Sequence, residues 1–292
     1  MRICRFAKSG SDARLAAVNA DSRVYELPYA CFIELVRGAK AVGKTSFQRV
    51  RELIAKLSPL DATFEDLPLL VPVQAPEVWA AGVTYMRSRE ARNYESTGED
   101  TAALTIYDRV YDASRPEVFF KSTAARLVGP NGDVGLRSDS NWQIPEPELG
   151  LVLDSGGQIL GYTIGNDMSC RDIEGENPLY LPQAKIWKGS CSIGPAIALP
   201  ESVPDAYAMD IRMTISRNGR EIFAGHANTR QLKRRYDELV ACLMKDNLLF
   251  DGTVLLTGTC IVPPDDFTLC AGDRIYMQIP EIGTLSNRVM GQ

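Results

Sequence analysis

The chain has 292 residues, 45 % of them apolar and 24 % charged, with a formal net charge of −5. This composition is typical of a globular protein with a sizeable core, and the acidic balance excludes a basic surface for nucleic acid. No apolar run reaches the roughly 18 to 20 residues of a membrane span, and the N-terminus lacks a signal-peptide pattern. We expect a cytoplasmic protein with no nucleic-acid or membrane partner.

The first 66 residues or so alternate short strand patterns, such as RICRFA and RVYEL, with two helical stretches. The second helical stretch is TSFQRVRELIAKL, for which Thr45 or Ser46 is a suitable N-cap. The prolines of DLPLLVPVQAPEVW then exclude a continuous helix. We predict a small N-terminal α/β domain at 1–72 and a larger domain at 73–292.

Strand patterns dominate the larger domain, from EVWAAGVTY and EVFFKS to TVLLTGT and DRIYMQIP. Asn218-Gly219 is a favoured type I′ turn pair and predicts a hairpin in MTISRNGREIFAG. Two helices are predicted, one at 86–95 and one that starts near Asn228 and continues through RQLKRRYDELVACLMKD. The predicted class is a β-rich α+β fold with short connections and antiparallel pairing.

The seven cysteines are scattered and form no CxxC pair, so neither a disulfide framework nor a thiolate zinc site is predicted. We expect most of them to be small core residues. Cys170 and Cys191 flank the region considered next, but no histidine lies near them in sequence, which disfavours a thiolate nucleophile.

The segment EPELGLVLDSGGQILGYTIGND carries three carboxylates in an apolar hairpin pattern. Glu146 and Glu148 are two residues apart and therefore share one face of a strand. A two-residue turn centred on Gly156-Gly157 would place Glu146 opposite Asp167, with Cβ atoms roughly 4.5 to 5.5 Å apart. A turn at Ser155-Gly156 would shift the register and still keep all three carboxylates on one face.

Three carboxylates at this spacing repel one another, at about 3 kcal/mol for each pair with an effective dielectric near 20. A divalent cation would relieve the repulsion, and an all-oxygen ligand set suits Mg²⁺, Mn²⁺ or Ca²⁺. The open alternative is a solvated surface hairpin, which is the usual setting of an E-x-E pattern. Gly150 and Gly165 favour the metal site because they indicate a close approach of the backbone.

Further candidates lie near this hairpin in sequence. Lys185 follows a loop and has apolar neighbours, so a nearby metal ion and burial would lower its pKa and let it act as a base. The alternation of RPEVFFKST places Glu117 and Lys121 on one strand face. Thr257 and Thr259 share a face and can donate hydroxyl hydrogens to a carboxylate. Taken singly, each of these patterns also fits an ordinary surface or strand residue.

The pattern PEPELGLVLDSGGQILGYTIGNDMSCRDIEGENPLYLPQAK, with IFAGHANTRQLKRRYDELVACL and GTVLLTGTCIVPPDDFTLCAGDRIYMQIPEIGTLSNRV, resembles the fumarylacetoacetate hydrolase superfamily over about residues 78–292. The resemblance implies that Glu146, Glu148 and Asp167 bind Mg²⁺, with Ca²⁺ or Mn²⁺ as substitutes. It also implies a 2-keto acid substrate and a homodimer or homotetramer.

GVTYMRSREAR, RPEVFFK and GNDMSCRDIEGENPLYLPQAK resemble the sugar-acid dehydratases of this superfamily. The implied reaction removes water from a 2-keto-3-deoxy sugar acid, with 2,5-dioxopentanoate as the product of the five-carbon substrate. Lys185 would be the base and Glu117 the acid. Candidate substrate contacts are Ser88, Arg89, Lys121 and Thr259.

Two alternatives remain. The first is a metal-dependent hydrolase or decarboxylase of acylpyruvate or oxaloacetate-like substrates. The superfamily's C–C bond hydrolases use a His–Glu dyad, however, and the stretch GVTYMRSREARNYESTGED has no histidine. The single histidine, His226, is predicted at a strand end in a structural role. The second alternative is a β module stapled by Ca²⁺, which would show no pocket above its carboxylates.

Overall fold

The computed structural model describes residues 1–8, 12–86 and 106–291. The helices of this part of the chain are α1 (Phe32–Lys40), α2 (Ser46–Ile54), α3 (Ile106–Asp112), α4 (Arg171–Glu176), α5 (Leu181–Lys185) and α6 (Tyr236–Met244). None of these described helices has the length and hydropathy required to cross a membrane. The helix predicted at 86–95 extends beyond the described residues, and Ser88 and Arg89 lie outside them.

Strands make up most of the regular structure in the same ranges. They are β1 (Arg2–Ala7), β2 (Ala13–Val18), β3 (Val24–Leu27), β4 (Leu69–Leu70), β5 (Glu77–Gly82), β6 (Glu117–Thr123), β7 (Leu127–Val128), β8 (Asp133–Gly135), β9 (Gln143–Ile144), β10 (Pro147–Leu153), β11 (Ile159–Asp167), β12 (Ser169–Cys170), β13 (Cys191–Ala198), β14 (Asp210–Arg217), β15 (Arg220–Asn228), β16 (Thr253–Leu256), β17 (Arg274–Ile279) and β18 (Gly283–Met290).

The largest sheet has the strand order β3-β2-β1-β13-β11-β10-β16-β5-β6, with β4 paired to β1 and β7 to β13. A second sheet has the order β15-β14-β17-β18-β8, and β9 and β12 form a short ribbon. The β-rich α+β class is confirmed. Pairing is not antiparallel throughout, since β7–β13, β5–β16 and β8–β18 are parallel pairs.

Strands β13 and β18 were not predicted from the sequence. The pattern CSIGPAIA of β13 contains Gly194 and Pro195, two residue types that are depleted in strands. Nevertheless β13 lies in the middle of the large sheet, between β1 and β11, and places Cys191 opposite Asp167. Tertiary pairing on both sides therefore outweighs the local preference of this segment.

The predicted helix start near Asn228 is wrong. Asn228 is the last residue of β15, and its side chain caps a single 3-10 turn at Thr229–Gln231. The chain then runs extended, because Leu232 pairs with Tyr85 in an isolated β-bridge, and α6 begins only at Tyr236. By contrast, the N-cap at Thr45 and the turn at Asn218-Gly219, where both φ angles are positive, are confirmed.

The β10–β11 hairpin has the predicted register but a different turn. Ser155, Gly156 and Gly157 form a three-residue loop, and Asp154 N donates to Gln158 O at 3.0 Å. Gly157 takes the left-handed φ of +79° that such a loop requires. A bulge beyond Val152 then restores the expected pairing, so that Glu148 lies opposite Gly165.

The central strand β10 is buried along its whole length because both faces of the sheet are covered. Leu149 and Leu151 pack in a cluster with side chains of β14, β17 and β18, whereas Val152 packs with Ile3 and Leu35 on the other face. Residues of 1–72 and of 73–292 thus share a sheet and a core. The division into two domains at residue 72 stays a prediction.

Several strands of the large sheet end on the same side, and their ends form the site described next. Strands β5 and β16 are parallel neighbours that end at Gly82 and Leu256. Beyond them Val83 has φ +50° and Gly258 has φ +94°, left-handed values that turn the backbone out of the strand. Thr84 Oγ1 donates to Thr257 O at 2.8 Å and joins the two turns.

Candidate active site

Glu146, Glu148 and Asp167 form a compact carboxylate triad. Each supplies one oxygen to a group whose members all lie within 4.8 Å of one another, and all three side chains are buried. Asp167 N donates to Glu146 O at 3.0 Å, which continues the hairpin ladder past the start of β10. The predicted grouping on one face is therefore present. The solvated-hairpin alternative is wrong, because this end of the hairpin is inside the protein.

Gly165 pairs with Glu148 across the hairpin. A Cβ atom at residue 165 would lie 2.3 Å from Leu256 Cδ2, so a larger residue here would displace the leucine side chain. The close approach that the glycines predicted is made by side chains and not by backbone.

Glu148 is the triad member with the least compensation for its charge. Its Oε2 accepts from Gly258 N at 2.7 Å. Burial and the neighbouring Asp167 and Glu146 carboxylates raise the pKa of Glu148 well above its ordinary value, although Lys185 acts in the opposite sense. The triad thus carries more negative charge than its surroundings balance at this position.

The pKa of Asp167 is shifted in the opposite direction. Burial alone would raise the pKa of Asp167, but the ammonium groups of Lys121 and Lys185 outweigh it and hold the pKa below the ordinary value. Lys121 Nζ lies 2.5 Å from Asp167 Oδ1 and also donates to Met168 O and Lys185 O. Lys121 is fully buried and lies directly against the Asp167 carboxylate.

Glu146 is held by residues that the sequence analysis missed. Arg171 Nη2 donates to Glu146 Oε1 at 2.7 Å, and Ser169 Oγ donates to Glu146 Oε2 at 2.9 Å. Ser169 lies on β12, and Arg171 is the first residue of α4. The available signal was a serine and an arginine two and four residues after Asp167, a predicted metal ligand.

Lys185 is the last residue of α5, and its side chain is 1 % exposed. Its Nζ donates to Glu146 Oε2 at 2.6 Å and to Asp167 Oδ2 at 3.0 Å, and it also bonds to Ser169 Oγ. Glu174 Oε1 lies 3.3 Å from the same Nζ atom. The lysine that the sequence placed near the metal ligands therefore touches two of them directly.

A pocket opens over the triad. Its lining residues are Ala81, Gly82, Val83, Phe119, Glu146, Glu148, Asp167, Lys185, Gly258 and Thr259. The Ca²⁺-stapled β module predicts no pocket above its carboxylates, so this pocket disfavours it. Thr259 lines the pocket as a substrate contact would, but the Thr257 hydroxyl donates to Leu149 O at 2.9 Å and not to a carboxylate.

Glu117 begins β6 directly opposite Gly82 of β5. Its carboxylate covers Gly82, since a Cβ atom at residue 82 would lie 2.1 Å from Glu117 Oε2. Gly82 lines the pocket, whereas Glu117 packs against Gly82 and is not itself a lining residue. Phe119, two residues further on, lines the pocket and has its ring centroid 5.5 Å from Lys185 Nζ.

The residues present fit a hard divalent cation. Three buried carboxylates converge within 4.8 Å, and no histidine or cysteine belongs to this group. Burial and the two neighbouring carboxylates raise the pKa of Glu148, and a bound cation would oppose that shift. Lys121 and Arg171 hold the outer sides of Asp167 and Glu146, as supporting contacts do around metal ligands. The group could hold Mg²⁺, Mn²⁺ or Ca²⁺.

Comparison with known proteins agrees with this geometry. The family model described as Fumarylacetoacetate (FAA) hydrolase C-terminal matches residues 88–290. The chain belongs to the fumarylacetoacetate hydrolase family. Within it, the chain is 46 % identical over 295 aligned residues, with 99 % of both chains covered, to a probable 2-keto-3-deoxyxylonate dehydratase of Haloferax volcanii.

Two further relatives carry similar names. A 2-dehydro-3-deoxy-D-arabinonate dehydratase of Saccharolobus solfataricus is 47 % identical, over 75 % of this chain and 74 % of the relative. A solved structure of 2-keto-3-deoxy-D-arabinonate dehydratase, complexed with magnesium and 2,5-dioxopentanoate, superposes with a TM-score of 0.84 at 36 % identity, covering 100 % of this chain and 99 % of that one. These similar proteins are dehydratases, that is, carbon–oxygen lyases.

Proposed function

We propose that this protein is a Mg²⁺-dependent dehydratase that converts a 2-keto-3-deoxy pentonic acid of the 2-keto-3-deoxy-D-arabinonate type into 2,5-dioxopentanoate in pentose oxidation. The observation that carries the proposal is the buried triad with Lys185 directly on it at the base of one pocket. The names of the similar proteins and the magnesium and product in one of them support the choice of substrate and metal.

In this proposal Glu146, Glu148 and Asp167 hold the ion. Bound Mg²⁺ would supply Lewis-acid polarisation of the substrate's 2-keto acid group, which makes the C3 protons more acidic. Lys185 is placed to remove one of these protons, since its Nζ lies against two triad carboxylates and beside the pocket. Lys185 must be neutral to act in this way.

Glu117, which packs against the pocket residue Gly82, is the proposed acid. It gives a proton to the C4 hydroxyl, which leaves as water while the C3–H electrons form a C3=C4 double bond. Movement of a proton from C5 to C3 then shifts the double bond to C4=C5, and the resulting enol becomes the C5 aldehyde.

Substrate contacts remain part of the proposal. Thr259 lines the pocket and is a candidate partner for a substrate hydroxyl. Ser88 and Arg89 are kept as candidates on chemistry and family resemblance, because an arginine matches a carboxylate. For Lys121 we propose the positioning of Asp167 instead of substrate contact, since it bonds two buried carbonyl groups and that carboxylate.

Hydrolysis through a histidine dyad has no support at this site. His226 is the only histidine of the sequence, and it lies on β15 in the second sheet. Its Nε2 is 3.1 Å from Asp210 Oδ1, and its side chain is 58 % exposed. The proposed proton-transfer groups are therefore Lys185, which lines the pocket, and Glu117, which packs against the pocket residue Gly82.

The test is turnover of 2-keto-3-deoxy-D-arabinonate by the purified protein, with Mg²⁺ and with EDTA. We expect metal-dependent formation of 2,5-dioxopentanoate, detected as the aldehyde. Lys185→Ala should still bind Mg²⁺ but lose at least about 100-fold in kcat, as removal of a general base does. No product in the presence of Mg²⁺ would overturn the proposed reaction, and normal turnover by Lys185→Ala would remove that residue from it.

The same preparation tests two finer parts of the proposal. A six-carbon 2-keto-3-deoxy acid in the same assay measures the preference for chain length. Light scattering after size exclusion tests the homodimer or homotetramer that family resemblance implies.

A further inference from the structure

Lys185 occupies atoms that a metal ion would also need. The ammonium group donates one hydrogen bond to Glu146 Oε2 and one to Asp167 Oδ2, and both residues belong to the triad. An ammonium group and a divalent cation therefore compete for the same carboxylates. If Lys185 is to stay beside the triad once an ion is bound there, it needs an anionic partner outside the triad.

Glu174 is such a partner. Glu174 is on α4, one turn after Arg171, and its side chain is buried. Its Oε1 atom lies 3.3 Å from Lys185 Nζ. Arg171 binds Glu146 from the same helix, so α4 brings a cation to the triad and an anion to Lys185. Ser169 Oγ, a further contact of Lys185 outside the triad, carries no charge.

The helix that carries Glu174 is fixed to the protein at its first turn. Arg171 N donates to Trp142 O at 2.8 Å. The Asp172 carboxylate accepts from Ser140 Oγ at 2.6 Å and from Asn141 N at 2.7 Å. These bonds hold the helix in place without contact to Lys185, so the position of Glu174 does not depend on the lysine.

We propose that Glu174 is a positioning residue that draws the Lys185 ammonium away from Glu146 and Asp167, so that these carboxylates can serve a divalent cation while Lys185 stays at the pocket. The idea rests on the proposed function for the site and concerns the metal-binding step, in which Lys185 is still protonated; the lysine must lose that proton before it acts as the base. Without the Glu174 charge, the remaining anionic partners of the ammonium group described above are the two triad carboxylates. Lys185 would then compete more strongly with the cation.

The experiment is a cycle of Mg²⁺ titrations by calorimetry on the metal-free protein, with no substrate present. Glu174→Gln removes the charge and keeps the shape, and we expect the Kd for Mg²⁺ to rise about tenfold, as for other residues that support metal ligands. The matched control is Glu176→Gln on the same helix, where the side chain is exposed, and it should leave the Kd within about twofold.

The second arm repeats the change in a Lys185→Met background, where the competing ammonium is absent. Here Glu174→Gln should alter the Kd by less than about twofold, because Glu174 acts through Lys185. An equal loss in both backgrounds would show that Glu174 acts on the ion directly as a charge, and would overturn the proposal. An unchanged Kd for Glu174→Gln alone would also overturn it.

Glu174→Asp covers the case in which the glutamine variant does not fold. It keeps the charge and should bind Mg²⁺ within about threefold of the parent; a tenfold loss here would contradict the proposal. The titrations need no turnover, so a failure of the dehydratase assay would overturn the proposed reaction and leave the role of Glu174 to be decided by its own Kd values.

Discussion

Glu117 lies directly opposite Gly82 across β5 and β6, and its carboxylate fills the space that a side chain on residue 82 would need. A methyl group there would come within 2.1 Å of Glu117 Oε2, at the far end of a flexible side chain. Gly82→Ala should therefore displace the proposed acid at little cost in stability. We expect kcat to fall about 10- to 100-fold, with an unfolding free energy within about 1 kcal/mol of the parent.

The control for this prediction is Gly156→Ala in the hairpin loop, where the nearest atom to an added Cβ is 3.4 Å away and φ is not in the left-handed region. Its kcat should equal that of the parent. Steady-state kinetics and urea unfolding on the same preparations decide the matter. A normal kcat for Gly82→Ala would argue against Glu117 as the acid.

Glu148→Gln should stabilise the metal-free protein at neutral and higher pH. Burial raises the pKa of Glu148, so as the pH rises from about 4.5 the carboxyl group loses its proton in the unfolded chain before it does so in the folded one. Native stability is therefore lost as the pH rises through the folded-state pKa. Glutamine has no such loss and can still accept the hydrogen bond from Gly258 N.

Thermal unfolding in EDTA between pH 5 and 8 measures this effect. The advantage of Glu148→Gln should grow with pH, at about 2 to 4 °C for each kcal/mol. Added Mg²⁺ should then raise the melting temperature of the parent more than that of the variant, because the ion binds the native triad. A pH-independent difference between the two proteins would count against the raised pKa.

Lys121→Met should be strongly destabilising. The lysine is fully buried and compensates Asp167 from 2.5 Å, so its removal leaves a buried carboxylate short of one partner. Loss of one partner of a buried ion pair costs about 3 to 5 kcal/mol. Urea unfolding should show this loss in EDTA and a smaller one with Mg²⁺. If Lys121 were instead a substrate contact, KM would rise and stability would stay close to that of the parent.

The cysteines should divide into two reactivity classes. Burial raises the pKa of Cys170 to about 11 and those of Cys4 and Cys191 to about 12, and alkylation requires the thiolate. The other cysteines are half-buried: Cys31, Cys242, Cys260 and Cys270. Iodoacetamide at pH 8, followed by peptide mass spectrometry, should label these four first, and all seven only after unfolding. Early labelling of Cys191 would contradict its burial beside the triad.

The carboxylate triad was accessible from the sequence because hairpin geometry has a period of two. Once Glu146 and Glu148 share a strand, any turn that keeps Asp167 on the same face brings the three together, and errors of turn type do not matter. The N-cap at Thr45 and the Asn218-Gly219 turn were predictable for a similar reason, since local hydrogen bonding and φ preference decide them.

Other features depend on contacts between segments far apart in the chain. Strand β13 has weak local preference and is held by its neighbours β1 and β11. The start of α6 is delayed because Leu232 pairs with Tyr85, more than a hundred residues earlier. The support of Glu146 by Arg171 and of Lys185 by Glu174 requires knowing how α4 packs, which periodicity alone does not give.

The bulge between Val152 and Leu153 separates the hairpin into two parts. A one-residue change of loop length at Ser155–Gly157 would normally move every β11 side chain to the opposite face. Here loss of the extra residue of the bulge can absorb such a change, because a three-residue loop without a bulge gives the same pairing of Glu148 with Gly165 in a hairpin one residue shorter. The tip of this hairpin can therefore lose a residue in evolution, or in the laboratory, while the carboxylate triad keeps its alignment.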